Sequence, residues 1–142
     1  LDRVKIKEIM TKQVITVTPN HTIEEAAKLM YEWRIGGLPV LEDGKLVGII
    51  TESDIFKIFL EVMGWGEQGS RLEILVEDKP GALAKISNVI KEFNVNIISV
   101  VTAKADEAGK RILIMRIKTD NPGPIINEIQ SRGYQVLSAI KG

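Results

Sequence analysis

The sequence has no cysteine and only one histidine. Without thiols, the chain can form no disulfide, no thiolate metal site and no cysteine nucleophile. The histidine, His21, follows Asn20 in a predicted turn, and catalysis or metal binding needs partner groups close to it. The acidic pairs Glu24-Glu25 and Asp106-Glu107 fit a helix start and a turn better than an acid–base pair. We therefore predict no catalytic residue, no metal site and no cofactor, and hence no enzyme.

An excess of charge and a long apolar run are missing as well. The chain carries 19 basic and 19 acidic side chains without a block of like charge, so it lacks the basic stripe that nucleic-acid binding needs. No apolar run approaches the roughly 20 residues that span a bilayer, and no signal-peptide pattern opens the chain. We predict a cytoplasmic protein that binds neither nucleic acid nor membrane. Because the chain begins with Leu1 and not Met, we expect it to be processed or part of a longer protein.

The 142 residues are enough for one average domain or two small ones. A Gly-rich spacer favours two, which we place at residues 1–64 and 71–142, with residues 65–70 as the linker. Halves of about 70 residues bury only a modest apolar area and are marginal alone. We therefore expect each half to need a partner surface, and we interpret Trp33 and Trp65 as core or interface anchors.

The first half alternates short strands and helices. A helical turn around Ile6 and Ile9 precedes a predicted strand at residues 14–17, and Thr22 with Glu25 has the spacing of a capping box. The helix that follows is predicted to end at Gly36-Gly37. A hairpin with an Asp-Gly turn comes next, and then a second helix over about residues 52–63.

That second helix is apolar around nearly its whole circumference. A helix of this kind must be covered on more than one side, and one small domain cannot supply two covering layers. The pattern therefore predicts association with another surface, through Ile55, Phe56, Ile58, Phe59, Leu60, Val62 and Met63.

The second half has the order strand, helix, strand, strand, helix, strand. This is the order of the ferredoxin-like split βαβ arrangement. The first strand alternates, with Leu72, Ile74 and Val76 on one face. Asn121-Pro122 is a good start for the last helix, as a cap followed by proline. The remaining strands are predicted at residues 97–104, 111–118 and 134–140.

Several spaced segments of the first half resemble a cystathionine-β-synthase (CBS) motif. They are Ile9-Met10-Thr11, residues 14–19, residues 22–27, Leu38-Pro39-Val40 and residues 44–55, the last reading GKLVGIITESDI. The second half resembles an ACT domain through DKPGAL at residues 78–83 and Asn96-Ile97. The resemblance implies a mixed α+β or α/β chain, with a βαββα CBS motif followed by a ferredoxin-like βαββαβ ACT domain.

A CBS motif followed by an ACT domain is similar to the C-terminal part of AcuB-like acetoin-utilisation proteins. Those proteins carry two CBS motifs before the ACT domain, whereas this chain has one. We interpret it as the second of a pair whose first member is absent or supplied by another chain. The resemblance links the chain to acetoin utilisation.

The resemblance to CBS motifs implies a cleft for an adenine nucleotide or S-adenosylmethionine. In it, Asp54 would bind the ribose hydroxyls, Thr51 would hydrogen-bond ribose or phosphate, and Arg34 would reach a phosphate. Two alternatives stay open, because Thr51 and Asp54 also have capping-box spacing and Arg34 can be a solvated charge at a helix end. The groups implied to hold adenine are the backbone of Val14, Ile15, Thr16, Gly37, Leu38 and Pro39.

The resemblance to ACT domains implies a site for a small amino acid between two subunits. The amides of a helix start would bind its carboxylate, and Asn96 with Ile97 from a neighbouring subunit would contact its polar groups. The alternative is that Pro80-Gly81 only makes a turn and that the domain serves to pair chains. The residues implied at the helix start are Asp78, Gly81, Ala82 and Leu83.

Together these patterns predict an allosteric, ligand-sensing protein that forms a homodimer or a higher homo-oligomer. The alternatives are an oligomerisation module without a ligand and, third, a fragment of an enzyme whose catalytic part is missing.

Overall fold

The computed structural model describes residues 3–141. Within that range the chain divides into two units, and the division falls between Ile58 and Phe59. The domain limits predicted from the sequence remain a prediction. The five helices and six strands are, in chain order, α1 (Ile6–Ile9), α2 (Ile23–Trp33), β1 (Gly37–Glu42), β2 (Lys45–Thr51), α3 (Glu52–Val62), β3 (Ser70–Glu77), α4 (Ala82–Glu92), β4 (Ile97–Lys104), β5 (Lys110–Ile117), α5 (Gly123–Ser131) and β6 (Gln135–Lys141).

The first unit is built around α2 and the β1–β2 hairpin. The predicted capping box is confirmed at the start of α2, where the Glu25 amide donates to the Thr22 hydroxyl at 3.2 Å and the Thr22 amide donates to the Glu25 carboxylate at 2.7 Å. Two side chains of α2 then face a small core. Its buried members are Val17, Ala26, Met30 and Leu38.

The hairpin turn is the predicted Asp-Gly pair. Asp43 and Gly44 both have positive φ, +50° and +74°, as a type I′ turn requires. The turn brings β2 back antiparallel to β1, with Leu38 opposite Ile50.

The predicted strand at residues 14–17 is wrong except at one position. Only Val17 pairs, through a single parallel bridge to Val40. The Val17 amide donates to the Pro39 carbonyl, and the Leu41 amide donates to the Val17 carbonyl. Residues 14–16 form no strand, and after Val17 the chain turns, with the His21 amide donating to the Thr18 carbonyl.

The predicted end of α2 at Gly36-Gly37 is also wrong. The helix stops at Trp33, and Arg34 takes the left-handed conformation, with φ +53°. Its amide and that of Ile35 both donate to the Met30 carbonyl, which closes the helix as a left-handed C-cap does. Trp33 is 62% exposed, so the single chain does not use it as a core anchor.

Helix α3 has no buried residue. Phe56 is 65%, Phe59 58% and Val62 64% exposed. The helix therefore exposes much of its apolar surface. That another surface covers it remains a prediction.

The second unit is an antiparallel sheet with the strand order β4-β5-β3-β6. The two outer strands β4 and β6 follow the two helices in the sequence, which is the ferredoxin-like arrangement, so the predicted fold class is confirmed. Leu72, Ile74 and Val76 of β3 are almost completely buried, as their alternation predicted.

Helices α4 and α5 supply the other half of this core. Ile86, Val89 and Ile90 of α4 pack with Ile125 and Ile129 of α5 against the inward side of the sheet. The start of α5 differs from the prediction by one position. Pro122 is the N-cap and Gly123 the first helical residue, so Asn121 lies one residue before the cap.

Candidate functional site

The start of α3 holds the two side chains expected to bind a nucleotide. The Thr51 amide and hydroxyl both donate to Asp54 Oδ2, each at 2.8 Å, and the Asp54 amide approaches the Thr51 hydroxyl at 3.4 Å. The pair is thus the capping box that the sequence left open as an alternative. The bond from the Thr51 amide, and then the one from its hydroxyl, lowers the pKa of Asp54.

The same geometry leaves part of the Asp54 carboxylate available. Asp54 is exposed, and within residues 3–141 both bonds from Thr51 end on Oδ2. Oδ1 therefore faces solvent as an acceptor, and a carboxylate oxygen can accept a hydroxyl hydrogen from a diol. Capping the helix and binding a ligand do not compete for the same oxygen.

The two backbone segments expected to hold adenine meet at one end. The bridge joins Val17 to Val40, and Ile15 packs against the small core that contains Leu38. The Leu38 side chain is completely buried, so only its backbone can meet a ligand. The Pro39 carbonyl already accepts from the Val17 amide. Val14 is 56% exposed and offers an apolar surface on the open side.

Arg34 lies close in the chain to the same helix start. Two residues beyond it, the Gly36 carbonyl accepts from the Glu52 amide at 3.1 Å, which ties this loop to the beginning of α3. Arg34 lines a cavity of about 430 Å³ together with Glu32 and Glu52. Those two carboxylates would repel a phosphate in this cavity. The alternative that Arg34 is only a solvated charge at the helix end therefore stays open.

The loop before α4 has the features of an anion-binding helix start. Gly81 is the N-cap, with φ +89°, and α4 has no side-chain cap, so its first amides lack a side-chain acceptor. The amide of Ala82 donates to the Lys79 carbonyl at 3.4 Å, which leaves Leu83 as the better placed of the two predicted residues. Asp78 is fixed by its amide, which donates to the Gly109 carbonyl at 2.9 Å. Its carboxylate lies 3.9 Å from the Arg111 guanidinium.

Asn96 and Ile97 lie at the other end of α4. They line a cavity of about 240 Å³ with Lys91 and Asn94. An 11-residue helix is about 16 Å long, so a single chain does not bring this cavity to the Gly81 loop. The expected amino-acid site therefore needs the second subunit that the sequence analysis assigned to it.

A basic cavity beside the Gly81 loop was missed by the sequence analysis. It has a volume of about 340 Å³ and is lined by Lys79, Lys85, Lys110 and Tyr134 among others. A hydrogen bond between Lys79 and Glu77 raises the pKa of the lysine and lowers that of the carboxylate. The sequence shows the three lysines but not that they are close together. Residues 79, 85 and 110 become neighbours only when the sheet forms.

Within residues 3–141, no group of three or more His, Asp or Glu side chains is arranged to hold a metal ion. Nor does any helix in that range combine the length and the hydropathy of a membrane crossing.

Two family models match the chain, one in each half. The CBS domain model matches residues 6–61, and the model described as a TTHA0829-like ACT domain matches residues 68–139. The second match covers half of the chain.

Curated relatives show the same kind of likeness. The uncharacterized protein MJ0450 of Methanocaldococcus jannaschii is 30% identical over 117 residues, which are 81% of this chain and 63% of that protein. The CBS domain-containing protein YhcV of Bacillus subtilis is 52% identical over 50 residues, 35% of this chain and 36% of that protein. The chain thus spans less than two thirds of the length of either relative.

Among solved structures, the crystal structure of the CBS domain NE2398 is 41% identical. The match covers 41% of this chain and 46% of that one, with a TM-score of 0.40.

Proposed function

The chain belongs to the TTHA0829-like ACT family, with a CBS domain preceding the ACT domain, and from this we propose that it is a regulatory protein that senses small molecules. CBS and ACT domains are typical of regulatory ligand-sensing modules. The observation that carries the proposal is the presence of both domain types in one chain, each with its candidate site at the start of a helix. Helix starts are suited to anionic small molecules.

The ligand proposed for the CBS unit is an adenine nucleotide or S-adenosylmethionine. Asp54 accepts from the ribose hydroxyls through Oδ1, while Oδ2 keeps its bonds to Thr51. The backbone of residues 14–16 and 37–39 lies against the adenine, and Arg34 meets the phosphate. A second CBS motif, from another part of a longer protein or from another chain, closes the cleft.

The ligand proposed for the ACT unit is a small amino acid. Its carboxylate binds the first amides of α4 beyond Gly81, next to Asp78. Asn96 and Ile97 of a neighbouring subunit contact the amino group. The site is complete only in a homodimer or a larger assembly.

A ligand regulates such an assembly through its different affinities for the states of the assembly. A site shared by two chains has that property, because its groups are together in one arrangement and apart in another. Binding then shifts the population towards the closed arrangement, and a regulated target responds to that shift.

Isothermal titration of the protein with AMP, ATP, S-adenosylmethionine and single amino acids tests both sites. Asp54→Asn should weaken nucleotide binding by about tenfold or more, since it removes a charged acceptor, and should leave amino-acid binding unchanged. Asn96→Ala should weaken amino-acid binding and leave nucleotide binding unchanged. Unchanged nucleotide affinity in Asp54→Asn would show that the ribose assignment is wrong.

Two matched variants serve as controls for these titrations. Glu25→Gln removes the same kind of capping carboxylate from α2, and Asn127→Ala removes an exposed amide from α5. Both should bind every ligand as the unaltered protein does.

The second candidate is an assembly module without a ligand. It is favoured by the exposed apolar side chains of α3, which include Phe56 and Phe59. No heat with any nucleotide or amino acid, together with stable self-association, would favour this function over ligand sensing.

The finer hypothesis of an AcuB-like role rests on the order of the two domains. It predicts that a strain without the gene grows poorly on acetoin and normally on glucose. Equal growth on acetoin would remove the link.

A further inference from the structure

The segment that leads into β3 lies against the outer side of the sheet of the second unit. The Ser99 hydroxyl of β4 donates to the Met63 carbonyl at 3.0 Å. At Gly64, with φ +72°, an added Cβ would lie 2.7 Å from Ile98 Cγ2 and 3.1 Å from Arg116 Cδ. The segment therefore approaches the sheet as closely as a glycine allows.

Arg116 forms no ion pair within the described residues. It lies on the outward side of β5, directly opposite Arg71 of β3, and like charges in that position repel. Arg71 has a partner, Glu73, at 2.7 Å. Within residues 3–141 the buried Nε of Arg116 has no hydrogen-bond partner. A buried donor without a partner is unfavourable and calls for a reason, but the covered Nε is not itself open to a ligand, so a ligand would meet the terminal nitrogens of the guanidinium.

A cavity opens directly over Arg116. It has a volume of about 420 Å³ and is lined by Arg116 and the loop of Trp65, Gly66, Glu67 and Gln68. Trp65 is 70% exposed, and it stands between Gly64 and Gly66, which both have positive φ. This volume lies within the range of pockets for small molecules. The indole and the guanidinium are its two distinctive groups.

We propose that the Trp65–Arg116 cavity binds a small organic anion that carries a flat ring. A carboxylate or phosphate oxygen accepts from the terminal nitrogens of Arg116, whose planar guanidinium suits both groups, and the ring packs on the face of the Trp65 indole. Glu67 is exposed and lines the same cavity. None of these residues belongs to the two sites proposed above.

Fluorescence of Trp65 tests the proposal in the Trp33→Phe background, where Trp65 is the only tryptophan. Phenylacetate and AMP carry the proposed chemistry from two sources, and at least one of them should give a saturable change. Acetate lacks the ring and phenylacetamide lacks the charge, so both should bind about tenfold more weakly or worse. If none of the four gives a saturable signal, the proposal is wrong.

Three variants assign the signal to the cavity. Arg116→Gln should abolish it, whereas Lys118→Gln, which removes an exposed charge two residues further on, should keep it. Asp54→Asn should keep it too, so that failure here is distinguished from failure of the nucleotide site. A signal that survives Arg116→Gln would overturn the proposal.

The stability of Arg116→Met gives a readout that a structural role would not give. Methionine keeps the aliphatic contact with Gly64 and removes the unpaired Nε. If Arg116 serves a ligand, the melting temperature without ligand should equal or exceed that of the unaltered protein. A fall of several degrees would show that the guanidinium holds the fold together, which would contradict the proposal.

Discussion

Thr51 and Asp54 hydrogen-bond each other in both directions across the first turn of α3. The Thr51 amide donates to the Asp54 carboxylate at 2.8 Å, and the Thr51 hydroxyl receives the Asp54 amide at 3.4 Å. This pair of residues thus fixes where the helix begins and holds an exposed carboxylate in its first turn. A functional and a structural interpretation of these residues are compatible for this reason.

The start of α3 should lose stability in acid. The bonds from Thr51 keep the pKa of Asp54 below its ordinary value of 3.8, so the ionised carboxylate favours the folded state. Its contribution is fully present above pH 3.8 and is lost as the pH falls through the lower folded pKa. Melting temperatures of the unaltered protein and of Asp54→Asn, compared from neutral pH downwards, should converge below that value.

The capping box of α2 provides the control for this experiment. The Thr22 amide lowers the pKa of Glu25 from its ordinary value of 4.5, so the difference between Glu25→Gln and the unaltered protein should also close in acid, beginning at a higher pH. A gap for Asp54→Asn that stays constant from neutral pH to pH 2 would contradict the role given to the Thr51 bonds.

Gly64 should tolerate substitution less well than Gly66. Both have positive φ, +72° and +90°, but only at Gly64 would a Cβ meet other atoms within 4 Å. Gly66→Ala should cost about 1–2 kcal/mol of unfolding free energy through backbone strain alone. Gly64→Ala should cost more, because it also forces Ile98 and Arg116 apart from the loop. Urea denaturation of both variants measures the difference, and equal losses would mean that the close contact does not matter.

The ferredoxin-like unit was predictable because local and long-range signals agree in it. Leu72, Ile74 and Val76 alternate, and Ile86, Val89 and Ile90 recur at helical spacing, so each element identifies its own buried side. Their mutual order then leaves few ways to build the sheet.

The missed features depend on contacts that no local pattern encodes. Val17 forms a single bridge while residues 14–16 form no strand, and Arg34 adopts a left-handed conformation although a glycine pair follows nearby. Arg116 resembles any outward residue of an amphipathic strand. Only the register opposite Arg71 and the loop of Trp65 above it make it a candidate site.

The core of the second unit should respond strongly to Ile86→Ala. Ile86 is completely buried between α4 and the sheet, so truncation should lower the unfolding free energy by about 2–5 kcal/mol. Leu83→Ala is the matched change on the same helix, and Leu83 is 43% exposed, so its loss should be clearly smaller. Denaturant titration of the two variants decides the matter, and losses of equal size would mean that α4 packs differently.

The exposed side of α3 should drive self-association. Phe56 and Phe59 lie on a helix without a buried residue, and burying them against another copy would remove apolar surface from water. Phe59→Glu should therefore shift the protein towards the monomer in sedimentation velocity, while its far-ultraviolet circular dichroism stays unchanged. Lys57→Glu changes the charge of the same helix at an exposed position and should leave the assembly intact. If both variants sediment like the unaltered protein, α3 is not the contact surface, and the subunits that the amino-acid site requires must meet elsewhere.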